Sequence, residues 1–172
     1  MTMIMVLAVA LRLSTPREAV RTLLLVVLIV VGPVTVLMVR QVRKGSWTNV
    51  DASNRTERPM LYVVGMIALA VLLGTVQIFR PGSFLIRGAI GVLLMLAVCA
   101  ALTTKIKVSL HMAFGALATT ILITLGSPAG LVLLAGMPVL AWSRLTLKRH
   151  APAEVMVGLL VGVAFGYAIS HI

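Results

Sequence analysis

Five long stretches of the chain carry no formal charge: Thr22–Val39, Met60–Phe79, Gly88–Thr104, Val108–Ser143 and Val155–Ile172. A helix that crosses the hydrocarbon core of a bilayer takes about 20 mostly apolar residues, so charge-free windows of this kind are the ruler for spans. The fourth window is too long for one straight crossing. Gly126-Ser127-Pro128-Ala129-Gly130 lies near its middle and reads as a turn, with Ser127 in position to cap a helix that opens at Pro128. The pattern therefore predicts six spans, two of them slightly short, which is tolerable where helix ends sit among the headgroups. Backbone groups facing lipid must be satisfied within their own segment. The expected fold is all-α: a polytopic membrane protein, a six-transmembrane-helix bundle forming a single integral membrane domain over residues 1–172. Residues 1–19 read as an interfacial or partly inserted lead-in. A secretory signal carries its basic residues first, whereas Arg12, Arg17 and Arg21 follow the apolar Met1–Leu11.

Composition agrees with a membrane protein and narrows the classes. Hydrophobic residues make up 60% of the 172, and mean hydropathy is +1.13, well above a soluble domain. A disordered chain, a disulfide scaffold and an ordinary aqueous enzyme are excluded. The single cysteine, Cys99, lies in an apolar run, where it packs rather than reacts and has no internal disulfide partner.

The charges add topology. Fifteen Lys and Arg oppose four Asp and Glu, for a net charge of +11. Counting crossings, the polar loop 40–59, the Lys105–Lys107 segment and the Arg144–Ala151 segment fall on one side of the membrane. The Arg80–Arg87 and Gly126–Gly130 connections fall on the other. Ten of the fifteen basic residues, every acidic residue except Glu18, and two of the three histidines converge on the first side.

Each converging segment carries candidate chemistry beside a plainer role. In RQVRKGSWTNVDASNRTERP, Arg55 and Arg58 stand just before a helix, as planar cations suited to phosphate oxygens, while Arg40, Arg43 and Lys44 read as topology signals after a span. In KIKVSLH, Lys105, Lys107, Ser109 and His111 lie across the start of the fourth span. His111 is the one ionisable group in the window Val108–Ser143, which makes it either an interfacial histidine or a functional one. In SRLTLKRHAPAEV, Glu154 follows His150 by four residues, which puts both on one helix face if the helix has begun. The carboxylate then either orients the imidazole or serves as a favourable charge in a first turn opened by Pro152.

Taken together, the three segments resemble the three-part signature of the type 2 phosphatidic acid phosphatase superfamily, the lipid phosphate phosphatases: K-x6-R-P, then P-S-G-H, then S-R-x5-H-x3-D. Arg58-Pro59 matches the end of the first part, Ser109 and His111 match two letters of the second, and Ser143-Arg144 with His150 match the third at its full spacing. Glu154 stands where the signature has aspartate. The resemblance covers residues 51 to 154. It departs at Asp51, where the signature has lysine, and at Leu110, where it has glycine, so the chain resembles a divergent member, and a phosphotransferase or an inactive relative fits the same pattern. Arg55, Lys105 or Lys107 could supply the missing cation.

The resemblance implies a hydrolase acting on a phosphomonoester or diphosphate headgroup of a membrane lipid, phosphatidate-like or polyprenyl, through a phosphohistidine intermediate. His150 would be the nucleophile, Glu154 its orienting partner, and His111 the acid that protonates the leaving oxygen. Arg58 and Arg144 would clamp the phosphate, with Ser109 adding a hydrogen bond. No metal or other cofactor is implied, and the partners are the lipid phosphate and the bilayer, not nucleic acid. Two other readings stand beside it: a non-catalytic protein that binds anionic lipid through its basic face, and a metal site built from His111, His150, Asp51 and Glu154. Arg80-Pro81, a second Arg-Pro pair, falls on the opposite side and reads as a turn. The resemblance points to the outer face of the cytoplasmic membrane, as do Arg12, Arg17 and Arg21, while the ten basic residues of the converging face argue for the cytoplasmic side.

Overall fold

The computed structural model describes residues 16–49, 52, 54–79 and 83–171. Asp51, the Arg80-Pro81 pair and most of the expected lead-in lie outside them. Helix α1 (Pro16–Val26) runs through a π-helical turn, Val27–Val31, into α2 (Gly32–Arg43); then follow α3 (Arg58–Phe79), α4 (Ser83–Thr103), α5 (Leu110–Thr124), α6 (Pro128–Thr146) and α7 (Pro152–His171). No strand occurs among the described residues.

Among the described residues, five helical segments are long and apolar enough to cross a membrane: Arg17–Arg43, Arg55–Ile78, Leu85–Thr103, Pro128–Thr146 and Pro152–His171. The remaining helix, α5, has 15 residues, or about 22 Å at 1.5 Å per residue, short of a hydrocarbon core of about 30 Å. Its charge-free window overstates its length because Val108 and Ser109 are not helical. Helices also extend beyond the charge-free windows. The first is already under way at Pro16, within the segment expected as an interfacial or partly inserted lead-in, and at the polar loop 40–59 α2 continues to Arg43 and α3 opens at Arg58.

Local chemistry accounts for the bends and ends. Pro33 lacks an N–H, and its ring opposes the carbonyl four residues back; the widened turn just before it, where the Gly32 N–H reaches the Val27 carbonyl, absorbs the mismatch. Three helices finish with the same paired hydrogen bonds, in which a left-handed residue follows the last turn. After α2 that residue is Gly45 (φ 70°) and after α5 it is Gly126 (φ 65°), but after α6 it is Lys148 (φ 51°). A side chain in that conformation costs on the order of 1–2 kcal/mol, and the reversal it makes delivers the chain to His150 two residues later.

Helix α5 is the axis of the bundle. Met112, Ala113, Gly115, Ala116, Leu117, Ala118, Thr119, Ile121 and Leu122 are all buried. A helix sheltered on most sides need not match the thickness of the lipid. Its tightest partner is α7, through glycines four residues apart: a β-carbon on Gly158, Gly162 or Gly166 would fall under 3.0 Å from the backbone carbonyl oxygen of Ser109, Ala113 or Leu117 respectively. In a membrane, where apolar side chains gain little by leaving lipid for one another, such backbone approach between small residues is a main source of helix association. On another face of α5, Leu117 and Ile121 join Leu69, Leu72 and Val76 of α3 and Met95, Leu96 and Cys99 of α4 in one core.

These contacts bring the start of α3, the end of α4, the starts of α5 and α7 and the end of α6 to one end of the bundle. Tyr62 and Thr103 are joined hydroxyl to hydroxyl at 2.9 Å, and the Ser109 N–H donates to the Glu154 carbonyl at 3.2 Å. The convergence expected from counting crossings is present in the fold.

Candidate active site

Arg58, the first residue of α3, is 3% exposed. Its Nε donates to the Ala52 carbonyl at 3.2 Å, its Nη1 to the Val108 carbonyl, and its Nη2 lies 3.3 Å from His150 Nε2. On the other side of the imidazole, His150 Nδ1 is 2.8 Å from Glu154 Oε2. The result is a relay, guanidinium to imidazole to carboxylate, joining α3 to the α6–α7 connection and the first turn of α7.

Glu154 fills both roles that its sequence position allowed. The same Oε2 that faces His150 also accepts the Ala151 N–H at 3.2 Å, capping α7. Lys107 completes the cluster: its Nζ donates to the Arg149 carbonyl at 2.6 Å and lies 3.6 Å from Glu154 Oε2. The α4–α5 connection thereby delivers a cation next to the relay.

Electrostatics hold His150 neutral. Burial lowers its pKa from 6.5 to about 4, and the positive charges of Arg58 and Lys107 act in the same direction, against the pull of Glu154. A neutral imidazole has one N–H, and the carboxylate claims it at Nδ1, so Nε2 keeps its lone pair and accepts from Arg58. An imidazole with a bare Nε2 pointing at a guanidinium is poised to meet an electrophile that the guanidinium itself binds.

The other sequence-selected residues occupy the same end in different settings. Ser109 is fully buried at the start of α5, and its Oγ has no hydrogen-bond partner. His111, in the first turn of α5, is exposed and lines the same cavity as Arg58. Arg144, half-buried in the last turn of α6, accepts the Arg149 N–H through its carbonyl. Arg55 and Lys105 are exposed, and no polar contact ties them to the relay among the described residues. No group of three His, Cys, Asp or Glu side chains able to hold a metal occurs among the described residues; Asp51, part of the metal reading, lies outside them.

Sequence reasoning missed three features. The Ala52 and Val108 carbonyls that anchor Arg58 leave no mark in a sequence, because every residue has one. The small-residue register of α7 was readable as Gly158, Gly162 and Gly166 at intervals of four. The cavity beside Arg58 and His111, about 530 Å³ in volume, is assembled from several helices and has no local motif. Comparison with family models, curated proteins and solved structures finds no match to this chain.

Proposed function

We propose that the protein is a membrane-embedded lipid phosphate phosphatase, with α5 as a sixth crossing and His150 as its nucleophile. The observation that carries the reading is the relay Arg58–His150–Glu154, in which a buried, neutral imidazole has its Nδ1 proton fixed and its Nε2 facing a phosphate-binding group. A guanidinium presents five N–H donors in a fork that matches phosphate oxygens, and Arg58 places that fork beside His150 Nε2. Lys107, Arg144 and the Ser109 hydroxyl lie at the same end of the bundle to spread the remaining charge.

The chemistry runs in two displacements. In the first, the Nε2 lone pair attacks phosphorus, the P–N bond forms as the bond to the lipid oxygen breaks, and His111 in its protonated form gives that oxygen a proton. In the second, His111, now neutral, takes a proton from water as the water oxygen attacks phosphorus and the P–N bond breaks. The products are a lipid alcohol and inorganic phosphate. An acceptor alcohol in place of water would make the same site a lipid phosphotransferase. The relay's position at the ends of apolar helices suits a headgroup held at the interface, and the family resemblance, not the geometry, favours the outer face of the cytoplasmic membrane.

One observation favours a second reading. Two donor groups of Arg58 are committed to backbone carbonyls, as they would be in a clasp that braces three connections of a protein binding anionic lipid without turnover. The contrast between His150→Ala and Lys148→Ala decides between the two. A nucleophile's loss should lower phosphate release by at least about a thousandfold while lipid binding persists, and Lys148→Ala should change release less than about threefold. A phosphohistidine should be trapped from the parent protein by acid-free quenching, and turnover should persist in chelator. Equal turnover in His150→Ala and parent would remove His150 as nucleophile.

A further inference from the structure

The cavity of about 530 Å³ lies between the first helix and α3, α4 and α5. Its basic groups are segregated: Arg58 and His111 stand at the end that carries the relay, and Arg87, near the start of α4, stands at the other. Between them the walls are mostly apolar, with Val30, Leu69, Leu96 and Phe114 among the residues that line them and the Thr35 hydroxyl as a polar exception. Along α3 the lining runs from Arg58 to Leu72, about 21 Å at 1.5 Å per residue. The cavity therefore begins at headgroup level and reaches well past the middle of a hydrocarbon core of about 30 Å.

We infer that this cavity receives one hydrocarbon chain of the lipid whose phosphate the relay engages, and that its depth sets the longest chain accepted. The inference rests on the proposed phosphatase reading for the identity of the headgroup. Arg58 makes the link, because the same guanidinium contacts His150 and lines the cavity. An anionic headgroup bound there leaves its chain only the apolar space behind. If a methylene takes roughly the 30 Å³ share of a liquid water molecule, the volume holds on the order of 18 methylenes. That is one long chain, not two. Such a chain leaves lipid rather than water when it enters, so apolar transfer contributes little and selectivity comes from fit: a chain longer than the cavity leaves its terminus beyond the apolar walls, at the Arg87 end.

The structure offers a position at which to shorten the cavity. Gly88 lines its far part, and a β-carbon there meets nothing within 4 Å, so Gly88→Leu fills space without pressing on the backbone. The test uses full-length parent and Gly88→Leu in phosphatidylcholine nanodiscs, with dodecyl, hexadecyl and eicosyl phosphate. Binding is read from photocrosslinking by hexadecyl phosphate bearing a diazirine at its tail end, and phosphate release is read in parallel. The expected result is adducts on Ala89, Ile121 or Leu125, with competition by hexadecyl phosphate weakened at least about tenfold in Gly88→Leu and competition by dodecyl phosphate unchanged. The same adducts and shift without phosphate release would uphold the chain site and remove the hydrolytic reading. Phosphate release with adducts confined to lipid-facing Leu131, Val132 or Leu160, or with one length profile for both proteins, would overturn the chain site and leave the phosphatase standing. Should Gly88→Leu not fold, the adduct map of the parent alone decides.

Discussion

The hydrogen bond of 2.8 Å between His150 Nδ1 and Glu154 Oε2 determines which ring nitrogen is bare, and burial determines at which pH it stays so. With the pKa of His150 lowered to about 4, the acid limb of the kcat/KM profile is expected near pH 4 rather than near the ordinary histidine value of about 6.5. The linkage has a definite sign: between those two values the unfolded chain binds the proton more readily, so this histidine's contribution to stability is complete above the ordinary value and declines as pH falls towards 4. A pH–rate profile for phosphate release checks the first statement, and an acid limb at the ordinary histidine value would mean that the group limiting turnover is a more exposed one. The relay was partly legible because His150 and Glu154 are four apart and Arg58 precedes a proline at a span boundary. Choosing Lys107 over Lys105 was beyond the sequence. Both flank Ile106 in a short connection, and only the approach of the α6–α7 segment, with the Arg149 carbonyl as acceptor, separates them.

Helix positions were legible from the spacing of charges, since a charged residue rarely sits at the bilayer centre. Helix ends were less so. Arg40, Arg43 and Arg58 can lie in helices and still reach the interface, so absence of charge marks the apolar part of a helix and not its last turn. What holds α5 to α7 was written in the chain at Gly158, Gly162 and Gly166, but glycines are common in membrane helices and only a facing backbone gives the interval meaning. Gly162→Ala should cost about 1–3 kcal/mol, because its methyl group must displace the Ala113 carbonyl rather than a flexible side chain. Gly136 in α6 is the control: a β-carbon there meets nothing within 4 Å, so Gly136→Ala should be neutral or slightly stabilising through helix propensity. Thermal unfolding of both variants in one detergent measures the difference, and equal melting would mean that α5 and α7 are held together by something other than this contact.

At the scale of the molecule, the proposed six crossings put an odd number between the two ends at which connections lie, and that proposal makes a labelling prediction. Exposed Lys105 and Leu147 lie at the relay end of the bundle, and exposed Pro128 lies at the other. Lys105→Cys and Leu147→Cys should react with a membrane-impermeant thiol reagent from the same side and Pro128→Cys from the opposite side, while buried Cys99 stays silent. Labelling of all three from one side would show that α5 and α6 do not cross as a pair. The shortness of α5 has a further consequence in time. The chain is made from its N-terminus, so α3 and α4 precede α5, but the glycines that α5 needs come roughly 35 residues after its end. At about 5–20 residues per second, the interval is roughly two to seven seconds. Through it the central helix of the finished bundle is the least self-sufficient segment in the bilayer, sheltered on the side of Leu69 and Leu96 and exposed on the side that Gly158, Gly162 and Gly166 will cover. Assembly of the site therefore waits on α7, and a chain cut short before α7 would lack both Glu154 and the surface that holds Ser109 in position.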